Sequence, residues 1–176
     1  MQYDHDNMTG VALAADLVNA VTGVRQPLSR VAVRDVLLSH EIRQPELADD
    51  HIHALAQWAD LLREVFAASA TEDRTRAANV ILTGGTTRAY LTTHDGWSPH
   101  LHFTGEDEDI VARVMAVTAG GIAIFLVESG GERLGVCARA DCNRIFVDTS
   151  RNGRRTYCSA RCGNNDAVSR HRQRRN

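Results

Sequence analysis

The chain carries four cysteines, and all of them fall in one window with the spacing Cys137-x4-Cys142-x15-Cys158-x3-Cys162. Thiolates are the soft ligands that close a tetrahedron around zinc, at Zn–S distances of about 2.3 Å. Four of them fill the coordination sphere and leave no position for water or substrate, so the spacing predicts one structural Zn2+ per chain and no catalytic metal. Disulfide pairing is the alternative, and it fits a reducing compartment poorly.

A second chemistry lies in the arginines. The chain has 20 Arg and no Lys, with a formal net charge of −2. Residues 133–176 hold 11 Arg against Asp141, Asp148 and Asp166, a formal +8, whereas residues 1–132 come to −10. Such asymmetry points to a polyanion for the basic end, or else to mutual neutralisation of the two halves. On a helix following Cys158, Arg161, Asn164, Asn165, Val168, Arg172 and Arg175 share one face at 100° per residue. Arg suits guanine edges and Asn adenine in a DNA major groove, with Arg151, Arg154, Arg155, Arg170 and Arg174 available to phosphates. A solvated terminal helix is the other reading of the same residues.

Histidines supply a third candidate. His100 and His102 alternate on a strand and so face the same way, and His94 lies across the same hairpin. With Asn19 they form the candidate ligand-binding set, for a metal or an anionic effector; ordinary exposed or hydrogen-bonded strand histidines are the other reading, and the one favoured for a single sequence. His51 and His53 do not face each other on a helix and read as solvated. The chain has no nucleophile elbow, phosphate loop or HExxH motif, so a non-enzymatic protein is expected.

Several elements must position these residues. Val11–Val21 has helical apolar spacing with Thr9 as N-cap, and Val31–Leu38 forms a short helix after Pro27 and Ser29. His51–Ala68 carries the stripe Ile52, Leu55, Trp58, Leu62 and Phe66, an amphipathic helix, and Thr71–Leu82 forms another, stopped by Gly84-Gly85. The period then changes: Arg88–Thr93 and Ser98–Thr104 alternate around Asp95-Gly96, a β-hairpin. Acids at 106–109 open a long helix from Ile110 to Val127. Its longest apolar run, Val114–Val127, is shorter than the roughly 20 residues that span a bilayer, so a core or interface helix is expected and no membrane partner. Gly120-Gly121 in its middle suits close approach of another helix. Near Gly130-Gly131 composition and charge both shift. Beyond it, Leu134–Val136 and Ile145–Val147 read as short strands flanking a knuckle that holds Cys137 and Cys142, while Cys158 and Cys162, four apart, stack at the opening turn of a helix. The fold class is α+β: a mainly helical N-terminal domain with a β-hairpin (1–131) and a small treble-clef-like C-terminal zinc finger (132–176). Residues 1–10 show neither a basic start nor an apolar run, so no signal peptide is read and a cytoplasmic location is expected.

The segment Cys137…Asp141-Cys142…Phe146-Val147-Asp148-Thr149-Ser150-Arg151-Asn152-Gly153-Arg154-Arg155…Tyr157-Cys158-Ser159…Cys162-Gly163-Asn164 resembles the CGNR zinc finger found at the C-terminus of bacterial transcription regulators. The usual companion of that finger is the ABATE domain. Asp16-Leu17-Val18-Asn19 resembles its early Asp-Phe-x-Asn-Thr pattern with Ala20 in place of Thr, and Trp97…His100-Leu101-His102-Phe103 and Arg133-Leu134 are similar to the group as well. The resemblance implies zinc on the four cysteines, double-stranded DNA as partner, and an N-terminal domain that senses a small-molecule effector or forms a homodimer, as in a stress-induced transcription regulator. The motif that names the family ends in Arg, whereas this chain has Asn165. A zinc-stabilised protein-interaction adaptor is the competing function class.

Overall fold

The computed structural model describes residues 5–22, 29–42, 45–93, 99–105 and 107–174. Its organising pair is α3 (Asp49–Ala67) and α5 (Ile110–Ser129). The apolar stripe of α3 turns Ile52, Leu55, Trp58, Leu62 and Phe66 inward, and Asp49 and Asp50 sit at its start, where carboxylates complement the helix dipole. His51 Nδ1 accepts from the Ala48 N–H at 3.3 Å and His53 Nδ1 lies 2.8 Å from the Asp49 carbonyl oxygen. These two histidines, expected to be merely solvated, tie up backbone at the helix start.

Helix α5 starts where Asp109 accepts a hydrogen bond from the Ala112 N–H at 2.8 Å and stops at Gly130, whose φ of 64° is the left-handed conformation glycine favours. At 20 residues and a mean hydropathy of 2.2 it is long and apolar enough to cross a membrane by length and composition alone. Val114, Ala119, Ile122 and Phe125, however, are fully buried in the core, against α1 (His5–Thr22), α3 and α4 (Thr71–Gly85). The closest crossing is with α1: a Cβ on Gly121 would stand 2.6 Å from Gly10 Cα, so the two backbones meet only because both residues lack side chains. Gly120 abuts the Phe103 ring. Close helix approach was the expected use of this glycine pair; Gly121 serves it, while Gly120 makes room for an aromatic ring.

Two local expectations fail. Helix α1 already runs from His5, so Thr9 lies inside it and is no N-cap. Helix α4 continues through Gly84 and Gly85, and the N–H of Thr86 bonds back to Leu82. Gly85 is a packing position: a Cβ there would come within 2.8 Å of the Trp58 ring. Trp58 is itself pinned, its Nε1–H donating to Thr118 Oγ1 at 2.9 Å. The short helix α2 (Arg30–Ser39) begins at Ser29, whose Oγ accepts from the Ala32 N–H, and it buries Val33 and Leu37.

Strands β1 (Tyr90–Thr92) and β2 (His100–His102) pair antiparallel, with Tyr90 opposite His102 and Thr92 opposite His100. The Asp95-Gly96 turn and His94 lie outside the described residues. Strands β3 (Leu134–Val136) and β4 (Ile145–Val147) form a second antiparallel hairpin, followed by α6 (Ala160–Gln173). A mainly helical body, a β-hairpin and a small C-terminal cysteine unit make the expected α+β arrangement. The apolar core runs across the composition boundary near Gly130-Gly131. Leu134 and Ile145 are 4% and 1% exposed and belong to the same core as the helices, with β3 on α3 and β4 on α1 and α3.

Candidate metal centre

The knuckle between β3 and β4 is shaped by backbone bonds before any metal is considered. The Cys137 N–H donates to the Arg144 carbonyl at 2.8 Å, and the Cys142 N–H donates to that of Arg139 at 2.9 Å, which curls the chain so that both thiols point the same way. Cys158 and Cys162 come together differently from the helical stacking expected. Cys158 precedes the N-cap Ser159, and Cys162 is the third helical residue of α6, its N–H held by Ser159 Oγ at 3.2 Å. The cap brings the two sulfurs together.

All four Sγ atoms lie within 4.8 Å of one another. Cys142 to Cys158, Cys158 to Cys162 and Cys162 to Cys142 are 3.8, 3.6 and 3.8 Å. A tetrahedron of Zn–S bonds near 2.3 Å has edges of about 3.8 Å, so the thiols fit one structural Zn2+. The electrostatics agree. The Ser159 hydroxyl and then the Cys158 thiol bring the Cys162 thiol down to about 7, with the Arg139 side chain assisting. Burial first, then the neighbouring thiols, push Cys158 up to about 12, and burial raises Cys142. Four adjacent thiols resist joint ionisation, and a dication is what makes the fully deprotonated set stable.

Three residues that the resemblance included without assigning them a role, Arg133, Asp148 and Tyr157, build the loop from β4 to Cys158. Asp148, 3% exposed, accepts from the N–H groups of Ser150 at 2.9 Å and Arg155 at 2.8 Å. Burial alone would raise its pKa, but the Ser150 hydroxyl, these two N–H groups and the Arg133 charge hold it below the usual carboxylate value. Arg133 donates to the Ser150 carbonyl at 2.6 Å. Tyr157 donates to Asp166 at 2.9 Å and covers Gly163, where a Cβ would sit 3.3 Å from the ring. The Asp-x-Ser spacing of an Asx turn was the available signal for Asp148.

The same region fixes the finger to the helices. Asn19 pairs with both backbone polar groups of Ile145, and Arg63 donates to the Asn143 carbonyl at 2.8 Å. Arg74, 7% exposed, is a residue the sequence reading missed. It donates to the carbonyls of Val65 at 3.2 Å and Leu134 at 3.3 Å and to those of Ala68 and Gly131. Burial lowers its pKa against the opposing pull of Glu132, and the ring of carbonyls takes the place of lost water.

The candidate ligand-binding residues therefore separate. Asn19 is committed to β4. His100 and His102 come together on β2, their Nε2 atoms 3.2 Å apart, and His94 lies outside the described residues. The arginines divide too. Arg155, expected at phosphate, is exposed but engaged by its own loop: its Nε donates to the Tyr157 carbonyl at 2.8 Å and its terminal nitrogen to the Cys158 carbonyl, with the guanidinium 5.3 Å from the Phe146 ring centroid. Arg170 pairs with Asp166 at 2.8 Å. Arg155 and Arg170 are exposed like Arg151, Arg154, Arg161, Asn164, Arg172 and Arg174; Asn165 is half-buried, and Arg175 lies outside the described residues. Among the described residues of α6, Cys162 alone is buried. The face carrying Arg161, Asn164 and Arg172 is open to solvent, while Asp166 and Gly163 turn toward Tyr157.

Among curated proteins, none matches the chain. The segment that holds both strands of the second hairpin, all four cysteines and α6 does match a known family, and residues 133–175 are recognised by the model of the CGNR zinc finger.

Proposed function

We propose that the protein is a DNA-binding transcription regulator in which the zinc-held finger contacts the duplex and the helical body, ABATE-like, senses an effector or forms a homodimer. The observation that carries this reading is the disposition of α6. Its first turn is clamped by Ser159 and Cys162, one face through Asp166 packs against Tyr157, and the opposite face is open to solvent and presents Arg161, Asn164 and Arg172 together. A helix of this kind on a rigid metal platform suits a major groove, and the formal +8 of residues 133–176 supplies the counterion release that drives binding to phosphates. The bonds of Arg155 to loop carbonyls and the pairing of Arg170 with Asp166 leave the phosphate role chiefly to Arg151, Arg154 and Arg174.

The test is binding of the full, zinc-loaded chain to random-sequence duplex over a series of salt concentrations, followed by selection of preferred sequences. Log affinity should fall linearly with log salt at about 0.9 per phosphate neutralised. Absence of duplex binding at low salt, together with salt-sensitive binding to an acidic peptide, would favour the adaptor.

A further inference from the structure

His100 and His102 alternate on β2 and leave the hairpin on one face. Their ring centroids are 5.0 Å apart with planes tilted by 55°, and the two Nε2 atoms lie 3.2 Å apart. Two imidazole nitrogens this close share either a proton or an ion. Zn–N bonds of about 2.0–2.1 Å give N···N edges of roughly 3.3 Å in a tetrahedron and about 2.9 Å for cis ligands of an octahedron. The observed separation lies between the two.

The second ring nitrogen of His102 supports the ion. Its Nδ1 lies 3.3 Å from the Tyr90 hydroxyl, and Tyr90 is the cross-strand partner of His102, its ring edge-on to the imidazole at 5.4 Å. An Nδ1–H donated to Tyr90 leaves the Nε2 lone pair directed at His100, the tautomer and outer-shell contact that metal-bound histidines use. Arg88 sits 4.8 Å from the Tyr90 ring centroid. Its charge weakens attraction for a second cation and keeps affinity modest.

We propose that β2 carries a second metal site, separate from the cysteine centre, in which Nε2 of His100 and Nε2 of His102 chelate one divalent ion of the imidazole-preferring class, such as Zn2+, Ni2+ or Cu2+. The site shares no residue with α6 and stands whether or not the finger binds DNA.

The experiment uses the full chain with zinc already on the cysteines and Ni2+ as the probe, in equilibrium dialysis with metal analysis. Wild type should take up Ni2+ with zinc content unchanged. His100→Gln and His102→Gln should each weaken Ni2+ binding at least about tenfold, and Tyr90→Phe by about tenfold, at the lower end of the outer-shell range. His53→Gln should leave it unchanged. In wild type, which needs no variant to fold, sub-stoichiometric Ni2+ should broaden the imidazole resonances of His100 and His102 before those of other histidines. Equal Ni2+ uptake by the doubly substituted chain, or imidazole resonances that respond to pH and not to Ni2+, would overturn the proposal and leave a proton shared between the rings.

Discussion

Asn19 and Ile145 lie 126 positions apart and exchange two hydrogen bonds: Asn19 Nδ2–H donates to the Ile145 carbonyl at 3.1 Å, and Asn19 Oδ1 accepts from the Ile145 N–H at 3.0 Å. One side-chain amide thus supplies what a neighbouring strand would supply to the outer edge of β4, and it does so from α1. Replacing it with an isosteric apolar group leaves two polar groups beside a core residue without partners, at about 1–3 kcal/mol each. Asn19→Leu should lower the midpoint of thermal unfolding, with zinc content still at one equivalent. An unchanged midpoint would show that water replaces the amide at no cost.

Because Leu134 and Ile145 are core residues of the helical body, the metal should stabilise the whole chain, beyond the residues around it. Zinc removal by chelation, or Cys158→Ser, is expected to lower a single cooperative unfolding transition followed by far-ultraviolet circular dichroism. A body transition that stays in place while only the finger melts would show that the two parts are energetically independent.

Gly84 and Gly85 are neighbours with opposite expectations. A Cβ at Gly84 meets the Trp58 ring at an ordinary 3.7 Å, whereas one at Gly85 meets Trp58 at 2.8 Å and the Met115 carbonyl oxygen at 2.9 Å. Gly84→Ala should stabilise the chain by up to about 1 kcal/mol through helix propensity. Gly85→Ala should destabilise it by about 1–3 kcal/mol through overpacking. Chemical denaturation of the two variants gives the sign directly.

Asp148 links stability to pH. Its folded pKa is lowered, so the carboxylate's contribution is fully present above the unfolded value of about 3.9 and is lost as pH falls through the lower folded value. Asp148→Asn keeps one acceptor oxygen and places an NH2 against the second N–H. It should cost about 1–3 kcal/mol at neutral pH and flatten the part of the acid-unfolding profile that belongs to this group. Identical acid profiles for the two proteins would rule out the assignment.

Arg154 and Arg155 are adjacent and should behave differently. Arg154→Ala is expected to leave the midpoint unchanged and to reduce the salt slope of DNA binding by about 1. Arg155→Ala removes the bonds to the Tyr157 and Cys158 carbonyls and should lower zinc retention under chelator challenge. Equal effects of the two variants on both measurements would contradict the structural role of the Arg155 carbonyl bonds.

The sequence by itself determined the features whose information is local. The cysteine ligands lie within one short window, and the strands around the knuckle, the stripe of α3 and the long apolar α5 are periodicities of neighbouring residues, which backbone geometry converts directly into elements. Tertiary structure alone decided where those elements meet. The commitment of Asn19 to β4, the carbonyl ring around Arg74 and the packing of Gly85 against Trp58 depend on surfaces contributed by other parts of the chain. The helix does stop at Gly84-Gly85, as the local signal says, but the pair forms its last two residues and not its cap, because burying the Trp58 indole against bare backbone outweighs the weak intrinsic cost of glycine in a helix. Hydrogen-bond partners of buried polar side chains follow the same logic: residue type requires that a partner exist, and only the packed core determines which one it is.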